Sequence, residues 1–240
     1  MSTTLAVLGD FGDAIDFIFN ERPSPAGGTE VGGLAEIWEL MRPHLRLSLI
    51  SMGIACGLSI PLGLWLGHIR KGGFLAINAS NVGRAVPTLA LIAFFVAFLG
   101  VGETNLTLAL VLLAIPPILT NAYTGVTQVD PDTVDAARGM GMTGAQIVRR
   151  VELPLALPLI FGGIRISAVN VVATATIAPL AGVVTLGDPI INVNTYGDEG
   201  RLAAAIVVAL LAVLTEVSLA ALQRGVTPRG LKLQRKEATT

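Results

Sequence analysis

Few residues in this 240-residue sequence are placed to do covalent chemistry, and those that stand out suit pairing and docking instead. The single cysteine, Cys56, lies inside an apolar run, so there is no disulfide framework and no thiol metal site. No G-x-x-x-x-G-K-[ST] run occurs, so the chain has no P-loop with which to cradle nucleotide phosphates. His44 and His68 fall at the ends of apolar stretches, where an interfacial position is expected rather than a catalytic one. Glu216 is the one acid within an apolar stretch, and it is expected to pair with Arg165 or reach toward the interface. The run D-P-D-T-V-D-A-A-R-G-M-G at 130–141 offers something else. Asp130 is a good N-cap and Pro131 fits the first helical position. Asp132 and Arg138 complement the dipole at the two ends, and Gly139 and Gly141 stop the helix. Asp135 and Arg138 could make polar contacts, and Ala136 and Ala137 could let a partner's backbone come close. That is docking chemistry, although an ordinary amphipathic loop helix would satisfy the same pattern.

The composition says what must position such a segment. The chain is 52% apolar and only 14% charged, with a formal net charge of −1. Soluble domains are about one-quarter charged, so this one cannot cover a globular surface with water-soluble side chains. A soluble enzyme, a basic nucleic-acid-binding domain and a disordered tail are excluded. Asp10, Asp13, Asp16 and Glu21, with no early Lys or Arg, argue against a cleaved signal peptide. An all-α integral membrane protein is expected. A crossing takes about 20 apolar residues, and spans are expected at 47–67, 85–101, 106–123, 166–186 and 202–222. The apolar run 153–186 is too long for one crossing, so 153–164 is read as an entry helix at the interface and Arg165 as the divider.

Five crossings put the termini on opposite sides, and basic residues orient them. One side holds Arg70, Lys71, Arg84, Arg138, Arg149, Arg150, Arg224, Arg229, Lys232, Arg235 and Lys236; the other holds Arg22, Arg42, Arg46 and Arg201. The N-terminus is therefore expected outside and the C-terminus in the cytoplasm, with 225–240 a basic cytoplasmic tail. Residues 1–43 read as an extracytoplasmic amphipathic arm. Leu5, Leu8, Phe11, Ile15 and Ile18 follow helical spacing, as do Leu34, Ile37, Trp38 and Met41, so two surface helices or a partly disordered arm are the alternatives.

The cytoplasmic segment 124–154 is longer than a turn requires. Thr143 and Gln146 suggest a capping box for a second helix ending before Pro154. Helix-breaking or polar residues in or beside the spans, Pro87, Thr88, Pro116, Pro117, Asn121, Asn170, Thr174 and Thr176, are candidate linings of a translocation path. Kinks and packing seams are the other reading of the same residues.

Asp135-Ala136-Ala137, Gly141 four residues on, and Val151-Glu152-Leu153-Pro154 resemble the EAA loop of permease subunits of binding-protein-dependent ABC importers. Asp135 stands where Glu is usual and Val151 where Ile is. AVPTLALIAFF (85–95), PPILTNAYTGV (116–126), AARGMGMTGAQIVRRVELPLALPLIFGGIR (136–165) and TATIAPLAGVVTLGD (174–188) are similar to the branch that takes up glycine betaine, choline and carnitine. HLRLSLIS (44–51) and SIPLG (59–63) fit its first core helix, and the resemblance covers about 44–224. Two departures are Val184-Thr185-Leu186-Gly187 in place of a Gly-Gly-Leu-Gly run, and the missing Gln before Pro87.

The resemblance implies a five-span permease core in the bacterial cytoplasmic (inner) membrane, with no cofactor of its own. It implies that ATP and Mg are used by a separate cytoplasmic ABC ATPase, into which Asp135, Ala136, Ala137, Arg138, Gly139 and Gly141 dock, with Leu153 and Pro154 closing the motif. A second permease subunit, identical or paralogous, and an extracytoplasmic substrate-binding protein are the other expected partners. Quaternary ammonium ligands are usually held by aromatic cages, whereas Phe94, Phe95 and Phe98 fit a lipid or packing stripe. Recognition is therefore expected mainly in the binding protein. Rival readings are another small solute, such as methionine or a sulfonate, or an ion-coupled secondary transporter. The latter would want inverted repeats and mid-membrane ionisable groups, and neither is evident.

Overall fold

The computed structural model describes residues 2–74, 78 and 86–227, with side chains from residue 10 onward. Ala85 at the start of the expected second span, Arg84, and the tail basics Arg229, Lys232, Arg235 and Lys236 lie outside the described residues. In chain order the elements are α1 (Ser2–Phe19), β1 (Glu21–Pro23), β2 (Glu30–Gly32), α2 (Gly33–His68), α3 (Thr88–Leu99), α4 (Glu103–Thr127) and α5 (Pro131–Gly139). There follow α6 (Gly144–Ile147), a π turn (Val148–Glu152), α7 (Leu153–Thr174), a 3-10 segment (Ala175–Ala181), α8 (Asp188–Ile191) and α9 (Val193–Val226). Among the described residues, four helical stretches are long and apolar enough to cross a membrane: Gly33–His68, Glu103–Thr127, Gly144–Ala181 and Val193–Val226. α3 has 12 residues, a rise of about 18 Å, and is the shorter apolar helix in the place of the 85–101 span.

The chain divides into two compact units. The first comprises Met1–Ser51, Thr88–Leu110 and Val171–Leu214. Here the apolar stripe of α1 docks through Ala14 and Phe17 on Val31 and Ala203, while Ile37 and Leu40 pack with Leu186, Val207 and Val208. The hairpin β1–β2 pairs Arg22 with Val31. Its Arg22 guanidinium reaches Asp16 at 2.8 Å and lies over the Phe17 ring. Hydrogen bonds from Asn20 and Arg22 hold the Asp16 carboxyl below its ordinary value. A carboxylate so depressed supports the folded state above its unfolded pKa and ceases to do so as pH falls through the folded one. Cleavage of the 24–29 loop by an acid-active protease is therefore expected to quicken below about pH 4, and to do so less in Asp16→Asn.

Of the two helices expected in the arm, the first is α1, but the second is not a separate element. The segment 34–41 is the first part of α2, which runs on through Pro43 to His68. Ile37, Leu40, His44, Leu47 and Ser51 are all buried and recur at helical spacing, so one continuous stripe carries the helix past the hydrogen bond that Pro43 cannot make. His44 is accordingly turned away from the protein surface. It is fully buried, with Nε2 3.0 Å from the Val172 carbonyl.

The second unit comprises Met52–Pro87, Val111–Asn170 and Thr215–Thr240. Its core sets Ala122 and Val126 of α4 against Ala156 and Ile160 of α7, with Ile60 and Leu64 of α2 beside them. α2 approaches α4 through Gly63 and Gly67, a G-x-x-x-G pair. α7 approaches through Gly163, where a Cβ would stand 2.7 Å from the Pro117 carbonyl and 2.8 Å from Asn121 Cβ.

Arg165 does not divide the long apolar run. α7 passes through it, because its charge is met inside the unit: Nε donates to Glu216 Oε1 at 3.0 Å and Nη1 to Gln223 Oε1 at 2.8 Å. Gln223 in turn donates to the Pro158 carbonyl at 2.9 Å. The expected Arg165–Glu216 pair is present. The helix ends instead at Thr174, followed by the 3-10 segment around Pro179 and left-handed Gly182 (φ 73°). Glu216→Leu is expected to lower the melting temperature in detergent by stranding Arg165, and Arg165→Leu combined with it to recover most of the loss. A double variant as unstable as the single one would show that the pair is not what holds this seam.

Candidate coupling site

The segment following α4 is built by its own local chemistry. Asp130 accepts from the Asp132 N–H at 3.0 Å, Pro131 opens α5, and Arg138 sits in its last turn. Gly141 takes φ 81°, a conformation a side chain would resist. The capping box is present: Thr143 Oγ1 accepts from Gln146 N, and Gln146 Oε1 accepts from Thr143 N at 2.8 Å. The second helix does not end before Pro154. At Val148–Glu152 it widens into a π turn in which the Leu153 N–H bonds Val148 O five residues back, and α7 follows directly. Pro154 can donate no hydrogen bond, and the wide turn is how the chain stays helical across it.

α5 is not a free-standing rod. Val134 and Ala137 are buried with Val129 and Ile147, and Met142, Val151 and Leu155 pack around them. This divides the expected docking residues. Ala137 is 2% exposed and turned into the loop's own core, so its methyl cannot meet a partner. The alternate face carries exposed Ala136, with Asp135 and Arg138 paired to one another at 2.9 Å, both more than half exposed. Gly139 and Gly141 are exposed beyond them, while Leu153 and Pro154 are half-buried at the start of α7. Met140, which sequence reasoning passed over, stands 75% exposed between the two glycines. Its signal was there, an apolar side chain where the pattern of α5 calls for a polar stop. Exposed methionine of this kind marks adaptable contact surfaces. A shallow pocket lined by Ala145, Gln146, Arg149 and Arg150 adds positive charge on α6 and the π turn.

The candidate path residues are divided between the two units. Pro116 and Pro117 are buried within α4, and Asn121 donates to the Pro117 carbonyl at 2.8 Å beside Gly163. Pro117 and Asn121 thus lie where α4 and α7 approach one another. Pro87 is exposed before α3, and Thr88 is its half-buried first residue. Asn170 is exposed on α7. Thr174, one turn on, is half-buried, and Thr176 donates to the Ala173 carbonyl at 2.6 Å. Phe94 and Phe98 are exposed on α3 with ring centroids 4.7 Å apart, a stripe and not a cage.

A widened π turn, a capped short helix and an exposed apolar tip stand between helices long and apolar enough to span a membrane. Residues 59–229 match the family described as binding-protein-dependent transport system inner membrane component. The chain belongs to this family. It is 39% identical over 190 residues to the glycine betaine/carnitine/choline transport system permease protein OpuCB of Bacillus subtilis (strain 168), covering 79% of this chain and 88% of that one. It is 37% identical over 204 residues to the carnitine transport permease protein OpuCB of Listeria monocytogenes, covering 85% and 92%. To the osmoprotectant import permease protein OsmY of Salmonella typhimurium it is 35% identical over 190 residues, covering 77% and 80%. In fold it is similar to the MetNI methionine ABC transporter in an inward-facing conformation, with TM-score 0.70 at 21% identity over 81% of this chain and 98% of that one. The permease is thus a multi-pass inner-membrane component of an ABC importer.

Proposed function

We propose that this permease subunit carries an osmoprotectant, glycine betaine, choline or carnitine, into the cell, driven by ATP hydrolysis in a separate cytoplasmic subunit. The observation that carries the reading is the likeness, through most of both chains, to permeases named for those solutes. The resemblance to a methionine transporter is one of fold alone. In this reading 85–101 also crosses, second of five in chain order, the N-terminal arm lies outside, and the 124–154 loop and the C-terminal tail lie in the cytoplasm. A second permease subunit completes the pathway, and an extracytoplasmic binding protein delivers the solute. Thr88, Asn170, Thr174 and Thr176 supply polar groups along the path.

The exposed face of α5, made by Asp135, Ala136, Arg138 and Gly139, docks with the adjoining Met140 in a groove of the ATPase. Nucleotide drives the cycle because it binds the closed ATPase pair better than the open one, and the difference in affinity shifts the docked permease with it. Reconstitution with the ATPase and the binding protein tests this. Betaine, choline or carnitine should stimulate ATP hydrolysis and uptake together. Stimulation by methionine alone would overturn the solute, and ATP-independent uptake on an ion gradient would overturn the whole reading.

A further inference from the structure

We propose that the contact between His68 and Glu152 is the joint through which the coupling loop acts on α2, an inference that rests on the docking of α5 proposed above. Glu152 closes the π turn and is 4% exposed, among the most deeply buried charged side chains described. A carboxylate so placed must be paired or neutralised. His68, the last residue of α2, sets its Nδ1 2.8 Å from Glu152 Oε2. The other ring nitrogen faces the first residue of α6: a Cβ at Gly144 would stand 3.1 Å from Nε2. The imidazole therefore touches both ends of the stretch that follows α5, and it does so from a different spanning helix.

A second tie lies two residues on. Arg70 donates from Nη2 to the Val129 carbonyl at 3.4 Å, and Val129 belongs to the small core that seats Val134 and Ala137 of α5. Arg70 is the one non-glycine residue with positive φ (50°) among the described residues. Strain of that kind persists where surrounding contacts hold it. The end of α2 thus grips the loop before α5 and the loop after it. A push on α5 cannot move the π turn without moving His68. A hydrogen-bonded pair holds its separation when pulled, whereas apolar neighbours slide past one another, so the pairing itself is needed for transmission. His68 and Glu152 are positioning residues, with no contact to solute or nucleotide implied.

The test uses the assembled transporter in proteoliposomes, reading solute moved per ATP hydrolysed. His68→Asn, whose amide N–H can stand in for Nδ1–H, should keep the wild-type ratio. His68→Leu with Glu152→Leu removes both polar groups, which a merely structural pair tolerates. It should assemble with the ATPase and hydrolyse ATP, yet lose at least fivefold in the ratio. Should that pair not assemble, His68→Met with Glu152→Leu keeps nearer the native volume; if neither assembles, the contact is structural and the joint is refuted. A double apolar variant with a ratio within twofold of wild type also overturns it. Wild type that binds no ATPase, or takes up solute without ATP, is a different result: the docking reading fails, and the joint falls with it.

Discussion

Gly63→Leu is expected to abolish folding of the permease, and Gly63→Ala to cost about 2–3 kcal/mol. An added Cβ at residue 63 would lie 2.6 Å from Ala122 Cβ, 3.0 Å from the Leu119 carbonyl and 3.1 Å from the Tyr123 nitrogen. Two of those three atoms are backbone of α4, so no rotamer change relieves the clash. At Gly67 the nearest atoms are Val126 Cβ at 2.6 Å and its Cγ1 at 2.9 Å. Val126 is buried and β-branched, with little rotamer freedom to yield. Gly53 and Gly57 sit on the same helix with nothing within 4 Å. There alanine is expected to be neutral or to add up to about 1 kcal/mol through helix propensity. Melting in detergent separates the two pairs. Equal losses at Gly57 and Gly63 would show that the G-x-x-x-G pair is not the site of close approach.

The contrast between the two glycine pairs also shows what a sequence read alone can carry. The N-terminal caps of α5 and α6 were legible because Asp130, Pro131, Thr143 and Gln146 act on their immediate neighbours, and each forms the hydrogen bond or position its type implies. The Arg165–Glu216 pair was legible because few partners exist for a charge in an apolar run. What failed to read were features decided at a distance. The expected arm ended at residue 43, but the buried stripe from Ile37 to Ser51 carries one helix across that position. Arg165 looked like a divider only while its partners on α9 were unplaced. The apolar side of α5 was ambiguous between Ala136 and Ala137, since adjacent alanines differ only in which way the rest of the loop folds. His68 and Glu152 are 84 residues apart, and no local pattern joins them.

That last ambiguity decides how docking must be probed. A tryptophan at residue 137 would enlarge a side chain that is 2% exposed among Val129, Val134 and Ile147, and so would disrupt the loop whether or not a partner docks there. Loss of ATPase binding would then report misfolding. Ala136 and Met140 report docking, because both face outward from a helix whose other side is fixed. Ala136→Trp fills the space a partner's backbone would need, and Met140→Asp puts a charge on the apolar tip that the proposed docking would bury. A contact of this kind is worth about 1.4 kcal/mol or more, which is tenfold or more in affinity. Each variant is therefore expected to reduce recovery of the ATPase with the purified permease at least tenfold and to abolish ATP-driven uptake. The melting temperature of the permease alone should stay at its wild-type value, while Ala137→Trp lowers it. Wild-type uptake by both Ala136→Trp and Met140→Asp would remove the exposed face of α5 from the coupling path. Partial loss in Ala136→Trp with none in Met140→Asp would narrow the docking face to the middle of the helix.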